Sequence, residues 1–300
     1  MVKAIVTHAT PCHIDDTIGV ALMKYEYPDA EIVRIRPQDT EAIEKYMAAG
    51  AAFVDVGGVY DPFLNMFDHH QNAELPCSAA MVANEFWYNY NFSAYDFAGS
   101  PAEKFMSIKD CRGFPTAVQE TGHKPSLECG VAEGNLTLAA VEMTQEMANA
   151  VTGVISKMNG QETYEELVLA LWEAMPDSIK AEAAARAVAK AKAEEEALAS
   201  CSVLKVEGLR VAVSATHVIP PSAFKKLEVE VIVSVNAMDS SNISIIKDTN
   251  SLLSAKLDLS KASKATGMKQ VFLHNSGFIV VLGGKVSDLD IADLFKGIID

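Results

Sequence analysis

The first 56 residues alternate short β-type runs with helical ones, and this alternation limits the possible folds more than any other feature of the chain. Lys3 to Thr7 (KAIVT), Glu31 to Arg36 (EIVRIR) and Ala51 to Val56 (AAFVDV) read as strands, while Thr17 to Tyr25 and Thr40 to Ala49 read as helices. Strand, helix, strand, helix, strand predicts the α/β class with a parallel, doubly wound sheet. Such sheets place ligands just past the carboxyl ends of their strands, so polar residues in those places carry extra weight. His8 and Asp55 occupy two of them.

The rest of the chain reads as a continuation and then a change of texture. Residues 78 to 90 and 131 to 158 are apolar at helical spacing and read as core helices. Glu162 to Ala199 is rich in Ala, Glu and Lys, interrupted by Pro176, with Asp177 and Ser178 able to cap a new helix from about Ile179. Beyond Cys201 the pattern is β-rich: Ser202 to Val206, Leu209 to Ser214, Val229 to Asn236, Asn242 to Lys247, Val271 to His274 and Phe278 to Leu282. A last helix is expected from near Ser287 to Ile299, with Asp290 three residues on in a capping-box pattern. The expected organisation is a metal-binding catalytic domain over residues 1–158, a helical linker over 159–200 and a smaller α/β substrate-binding domain over 201–300.

Composition narrows the function classes. At 49% hydrophobic and 22% charged residues the chain can build real cores. No stretch approaches the ~20 uninterrupted apolar residues of a membrane helix, and nothing directs the chain out of the cytoplasm. Five cysteines, none spaced as C-x-x-C, suggest neither a disulfide framework nor a zinc knuckle. The net charge is −15; residues 201–300 hold 11 basic and 10 acidic side chains, leaving 14 and 30 to the first 200. That excess argues against sequence-independent coating of nucleic acid, yet it does not oppose a metal site that handles phosphate, because bound cations reverse the local sign.

His and Asp fall in short clusters. His8, His13, Asp15 and Asp16 lie in T-H-A-T-P-C-H-I-D-D, Asp55 in F-V-D-V-G-G-V-Y-D-P, Asp68, His69 and His70 in F-D-H-H-Q, and Asp110 in S-I-K-D-C-R-G. Each piece has a bland reading alone: a loop histidine at His8, an N-cap with acidic first turn at His13 to Asp16, a turn at Asp55. Three adjacent polar groups after Met66 and Phe67 lack a packing role. Together, at strand ends of one sheet, the pieces favour a metal site. Imidazole with carboxylate and no thiolate suits Mn²⁺, Mg²⁺ or Fe²⁺ over structural Zn²⁺, and several carboxylates can bridge two ions.

The order H-x4-H-x-D, D-V-G-G-x-Y-D-P and F-D-H-H-Q resembles the DHH phosphoesterase superfamily and, within it, the melanocyte-proliferating-gene (Myg) family. Ser78-Ala79-Ala80 and Phe272 to Phe278 (FLHNSGF) continue the resemblance, which is weak between residues 115 and 200. It implies a first metal on His8, His13 and Asp55, and a second on Asp15, Asp55, His69 and Asp110, with Asp55 bridging. His70 would face the substrate as a hydrogen-bond donor or acid, and Asp68 would orient an imidazole. Asp16 stays open as an alternative to Asp15, and Asp96 as an alternative to Asp110.

In DHH proteins a smaller carboxy-terminal domain grips the substrate; the candidates here are His274, Ser276, Gly277 and the Gly283-Gly284-Lys285 turn. An ordinary Gly-Gly hairpin is the other reading of that turn. His123 and His217 read as surface residues, and Trp87 and Trp172 as core. The resulting expectation is a two-Mn²⁺ (or Mg²⁺) hydrolase of phosphodiester bonds in short single-stranded nucleic acid or small nucleotides. A pyrophosphatase-like hydrolase and a non-catalytic metal-retaining module are the alternatives. The sequence names no protein partner and is compatible with a homo-oligomer.

Overall fold

The computed structural model describes the chain except residues 1, 10, 38, 73, 91–95, 250, 274–276 and 300, and the side chains of 86–90. It divides into two compact units, Met1–Ala187 and Val188–Asp300. Among the described residues, no helix is long and apolar enough to cross a membrane.

The first unit opens as its sequence alternation predicts: β1 (Ala4–His8), α1 (Ile14–Glu26), β2 (Glu31–Ile35), α2 (Thr40–Ala48) and β3 (Ala52–Val54). Two strands of two residues each follow, β4 (Tyr60–Asp61) and β5 (Met66–Phe67). The sheet order is β2-β1-β3-β5-β4; β1 is parallel to β2 and β3, β5 is parallel to β3, and β4 runs antiparallel at the edge. Because the chain leaves β1 to pair on one side with β2 and on the other with β3, a crevice opens at the carboxyl ends of the central strands. The neighbours β1, β3 and β5 end at or just before His8, Asp55 and Asp68.

Helix α1 is buried without a break from Ile14 to Met23, so it runs through the core rather than over it. Gly19 permits this: a Cβ there would stand 2.8 Å from Val54 Cγ1 and 3.5 Å from the Ala79 Cα. The remaining helices are α3 (Ser78–Tyr90), α4 (Pro101–Arg112), α5 (Phe114–Thr121), α6 (Leu127–Ala139), α7 (Gln145–Ile155), α8 (Tyr164–Ala174) and α9 (Asp177–Ser200). The apolar run expected as one helix over 131–158 is two, because Thr144 accepts a hydrogen bond from the Met147 N–H and starts α7 afresh. Helix α8 buries Tyr164, Leu167, Val168 and Leu171 in the first unit's core. The boundary between the units falls within α9.

The second unit contains β6 (Ser202–Val206), β7 (Leu209–Ser214), α10 (Ala223–Lys226), β8 (Val231–Val235), β9 (Asn242–Lys247), α11 (Ala262–Thr266), β10 (Gln270–Leu273), β11 (Ile279–Gly283) and α12 (Ile291–Ile298). Its sheet order is β10-β11-β9-β8-β7-β6, with only β7 and β8 parallel. Leu294, Phe295 and Ile298 of α12 pack on Val233, Ile245 and Val280 in one core. This helix starts later than Ser287: Asp290 is itself the cap, accepting from the Asp293 N–H, and a short 3-10 turn occupies Val286–Asp288.

Candidate metal centre

The loop after β3 sets the geometry of the site. Asp55 has φ of 60°, the left-handed region that few side chains other than Asp and Asn accept, and Gly57 and Gly58 follow at 108° and 68°. The reversal brings the Gly58 N–H onto Asp68 Oδ2 at 2.6 Å, while the Asp55 N–H donates to the Phe67 carbonyl at 2.9 Å. The DVGG loop is thereby fastened to the DHH loop, and the Asp55 side chain points between the two histidine-bearing strand ends.

Asp55 faces both. Its Oδ2 lies 3.2 Å from His8 Nε2, its Oδ1 lies 3.2 Å from His69 Nε2, and the Ser78 hydroxyl at the start of α3 donates to Oδ1 at 3.0 Å. His69 Nε2 also lies 2.9 Å from Asp110 Oδ2, and His13 Nδ1 3.6 Å from Asp110 Oδ1. Donor atoms of His8, His13 and Asp55 all fall within 4.8 Å of one another, as do those of Asp15, Asp55, His69 and Asp110. Two further overlapping groups add His70 to Asp55 and His69, and Cys111 to His69 and Asp110.

The two open choices come apart in the structure. Asp16 belongs to neither group: its Oδ1 accepts the His13 N–H at the start of α1, and its Oδ2 lies 3.2 Å from His8 Nε2 and 3.7 Å from Arg34. Asp15, one residue earlier on the same turn, points into the cluster. Asp110 arrives from the last turn of α4, whereas Asp96 is exposed and lies against Gly160.

Asp15 decides whether a cation fits. It is 0% exposed and neither carboxylate oxygen has a hydrogen-bond partner; His8 Nε2, Asp16 Oδ2, Asp55 Oδ2 and His69 Nε2 are also buried without one. A buried ionised carboxylate with no partner costs several kcal/mol, roughly what pairing with a cation returns. Burial, followed by the neighbouring charges of Asp55 and Asp110, pushes the Asp15 carboxyl well above its ordinary range. Burial would raise Asp55 too, but His69 and His8 outweigh it and hold Asp55 well below the usual carboxylate range. Burial disfavours charge on His8, and the facing carboxylates of Asp16 and Asp55 overcome it, pushing its pKa up to about 11. Asp110 and Asp55 do the same, more strongly, to buried His69. The same negative surroundings favour a divalent ion, which would displace those protons from the imidazoles, and the oxygen and nitrogen donors suit Mn²⁺ or Mg²⁺.

Asp68 does not touch His69. Its Oδ1 accepts from the His70 backbone N–H and stands 2.7 Å from His70 Nδ1, so the imidazole that it orients is the half-exposed His70. Behind His69 stands Cys111, with Sγ 3.2 Å from Nδ1, in the place where metal-binding histidines usually meet a carbonyl or carboxylate. Arg34 on β2 donates to the carbonyls of His8, Val141 and Ala140 and so props the end of β1. Sequence reasoning assigned roles to neither Cys111 nor Arg34; the adjacency of Cys111 to Asp110 was the one available signal.

The remaining candidates separate. His274 and Ser276 lie outside the described residues, and so does the Trp87 side chain. Gly277 has φ of 67° in a bend before β11. Gly283 closes β11 and Gly284 follows at φ 135°, in a strand-to-helix turn rather than a hairpin. Their N–H groups donate to the Lys269 and Ser241 carbonyls, so neither is available to a phosphate, and Lys285 is simply exposed. His217 is exposed and Trp172 packs partly buried on the core, whereas His123 is half-buried with its ring edge-on to Phe105.

Residues 4–79 match the family model for MYG1 exonuclease, described as an uncharacterised protein family (UPF0160). The human and bovine MYG1 exonucleases are each 35% identical to this chain over 83 residues, and the mouse protein 33%. That stretch is 27% of this chain and 20% of each relative, so the match spans a fifth of the relatives' length. A solved DHH domain from a member of a family of ribosomal proteins aligns over 98% of this chain and 85% of its own, at 14% identity and TM-score 0.48. A pGpG-specific phosphodiesterase from Vibrio cholerae aligns over 95% and 94%, at 14% identity and TM-score 0.44. The match to the MYG1 exonuclease family model therefore falls on residues 4–79, the stretch that holds His8, His13, Asp15, Asp55, Asp68, His69 and His70.

Proposed function

We propose that the chain is a metal-dependent phosphoesterase that hydrolyses phosphodiester bonds in short single-stranded nucleic acids or small nucleotides, with two Mn²⁺ ions, or Mg²⁺, as its cofactors. The observation that carries this reading is the Asp55 carboxylate, which turns one oxygen toward His8 and the other toward His69 and so belongs to both donor groups. The exonuclease name of the relatives supports the same class of reaction. In this reading residues 1–158 carry the metal chemistry and residues 201–300 contribute to substrate binding.

Two bound divalent ions would neutralise the charge that builds on phosphate oxygens during an in-line displacement. The chain's own residues do the rest. His8, His13 and Asp55 would hold one ion, and Asp15, Asp55, His69 and Asp110 the other, with Ser78 and Cys111 fixing the direction of Asp55 and His69. His70, anchored through Nδ1 by Asp68, keeps its other nitrogen for the substrate and can hand a proton to the departing oxygen. With 14 basic against 30 acidic side chains in residues 1–200, the sequence disfavours a basic track for a long polymer, so short substrates and a shallow salt dependence are expected.

The test is a phosphate- and nucleotide-release screen with Mn²⁺ over pyrophosphate, cyclic dinucleotides and short oligonucleotides. Nucleotide release that stops on chelation is expected. Release of phosphate from pyrophosphate alone would transfer the site to phosphoanhydride hydrolysis, and stoichiometric metal binding with no turnover would make it a binding module.

A further inference from the structure

A cavity of about 310 Å³ opens directly beside the cluster, within the first unit, and shares His13, Asp15 and Asp110 with it. Its far walls come from the α1 approach and from α4 and α6: Cys12, Ile14 and Met106 are apolar, while Lys109, Glu133 and Thr137 are polar. The polar wall is rigid. Lys109 Nζ is paired with Glu133 and donates to the hydroxyl of buried Tyr164 at 3.0 Å, and it stands 5.1 Å over the Tyr164 ring.

We propose that this cavity holds the nucleoside attached to the phosphate that sits on the cluster; the inference rests on the phosphoesterase reading and extends it to what lies next to phosphorus. Four observations bear on the occupant. The cavity is continuous with three of the metal-donor residues, so a phosphate there projects its substituent inward. Its volume is at the lower end of the ~300–1,000 Å³ of small-ligand sites, which leaves room for one nucleoside and not for an oligonucleotide. Apolar walls, including an adaptable Met thioether, face a polar edge of hydroxyl, carboxylate and ammonium, which matches a flat base with hydrogen-bonding rim and a sugar. Finally, Lys109, the one lysine or arginine among the residues that line the cavity, is already paired with Glu133, so beyond the ions the cavity offers no free ammonium or guanidinium to a second phosphoryl group. Because Lys109 and Glu133 are held in place before any ligand arrives, binding loses little side-chain freedom.

The experiment is calorimetry on the Mn²⁺-loaded full chain with adenosine 5′-monophosphate and with inorganic phosphate, for the wild type, Thr137→Trp and the milder Thr137→Leu. The wild type should bind the nucleotide about tenfold or more tightly than phosphate. Thr137→Trp, which fills the cavity from a half-buried position on α6, should bring the two affinities together while phosphate binding stays as in the wild type, and Thr137→Leu should lie between. Equal affinities in the wild type, or a nucleotide preference that survives Thr137→Trp, would overturn the assignment while the phosphoesterase reading stands. Loss of phosphate binding in the metal-loaded wild type would instead sink that reading, and the nucleoside site with it.

Discussion

His70 Nδ1 and Asp68 Oδ1 are 2.7 Å apart, and the same carboxylate accepts the His70 backbone N–H. The hydrogen bond to Asp68 raises the His70 pKa above its ordinary 6.5 against the opposing effect of burial, so the imidazolium persists to higher pH. If that proton is the one delivered in the reaction, activity falls on the alkaline side as His70 loses it. Asp68→Asn, which keeps an oxygen for the Gly58 N–H, should move the alkaline limb of the kcat/KM profile to lower pH. An unmoved limb, measured from pH 5 to 10, would remove His70 from proton transfer.

Asp55 and Asp61 lie six residues apart in one motif with different surroundings. Asp61 only caps a short turn through the Phe63 N–H, whereas Asp55 meets both histidine groups. Asp55→Asn should lower activity more than ~100-fold, beyond the range seen for partners one step removed from a metal. It should also reduce bound Mn²⁺ on elemental analysis, while Asp61→Asn leaves both near wild type. Equal effects would show that the strand-end loop is structural.

Asp15 predicts an inverted stability. Its folded-state pKa lies above the unfolded value near 3.8, so the metal-free chain binds a proton that the unfolded chain does not, and stability falls as pH rises through that window. Asp15→Asn should therefore raise the Tm in chelator at pH 7.5, by ~2–4 °C for each kcal/mol relieved. Adding Mn²⁺ should stabilise the wild type more than the variant. A lower Tm for the variant in chelator would mean that the carboxylate has a stabilising partner.

Gly19→Ala sets two effects against each other. A helix gains ~1 kcal/mol from alanine in place of glycine, but the new methyl would meet Val54 Cγ1 at 2.8 Å, and overpacking costs ~1–3 kcal/mol. The core should lose, with a lower urea midpoint. Any shift of α1 also moves Asp15 relative to Asp55, so Mn²⁺ affinity should weaken with it. A raised midpoint would show that the helix has room to move.

The strands that carry the clusters were readable because each is a run of β-type residues long enough to stand out, and β1, β2 and β3 fall within a residue or two of their sequence-based bounds. The pairs β4 and β5 have two residues each, too short for any periodicity to register. Sequence could not choose between Asp15 and Asp16, because both sit on one helical turn and the choice depends on how α1 is rotated against the sheet. Asp110 is indicated by the resemblance alone, and Cys111 and Arg34 reach the site from α4 and β2, where only the adjacency of Cys111 to Asp110 marks either. The Gly283-Gly284 turn misled for a related reason: glycine signals accessible backbone, but only the fold shows that Lys269 and Ser241 already occupy those N–H groups.

The left-handed backbone at Asp55 also restricts what mutation can reach at this position. Glutamate, which takes this backbone at Glu207 and Glu228, would keep the charge but carry it one methylene farther, glycine would keep the backbone but bring no oxygen, and asparagine would keep both backbone and shape but lose the charge. Aspartate combines a φ of 60° with two charged oxygens on a single methylene, the reach that meets His8 and His69. Each single replacement therefore gives up the charge, the oxygens or the reach, and with it the one carboxylate that joins the two donor groups.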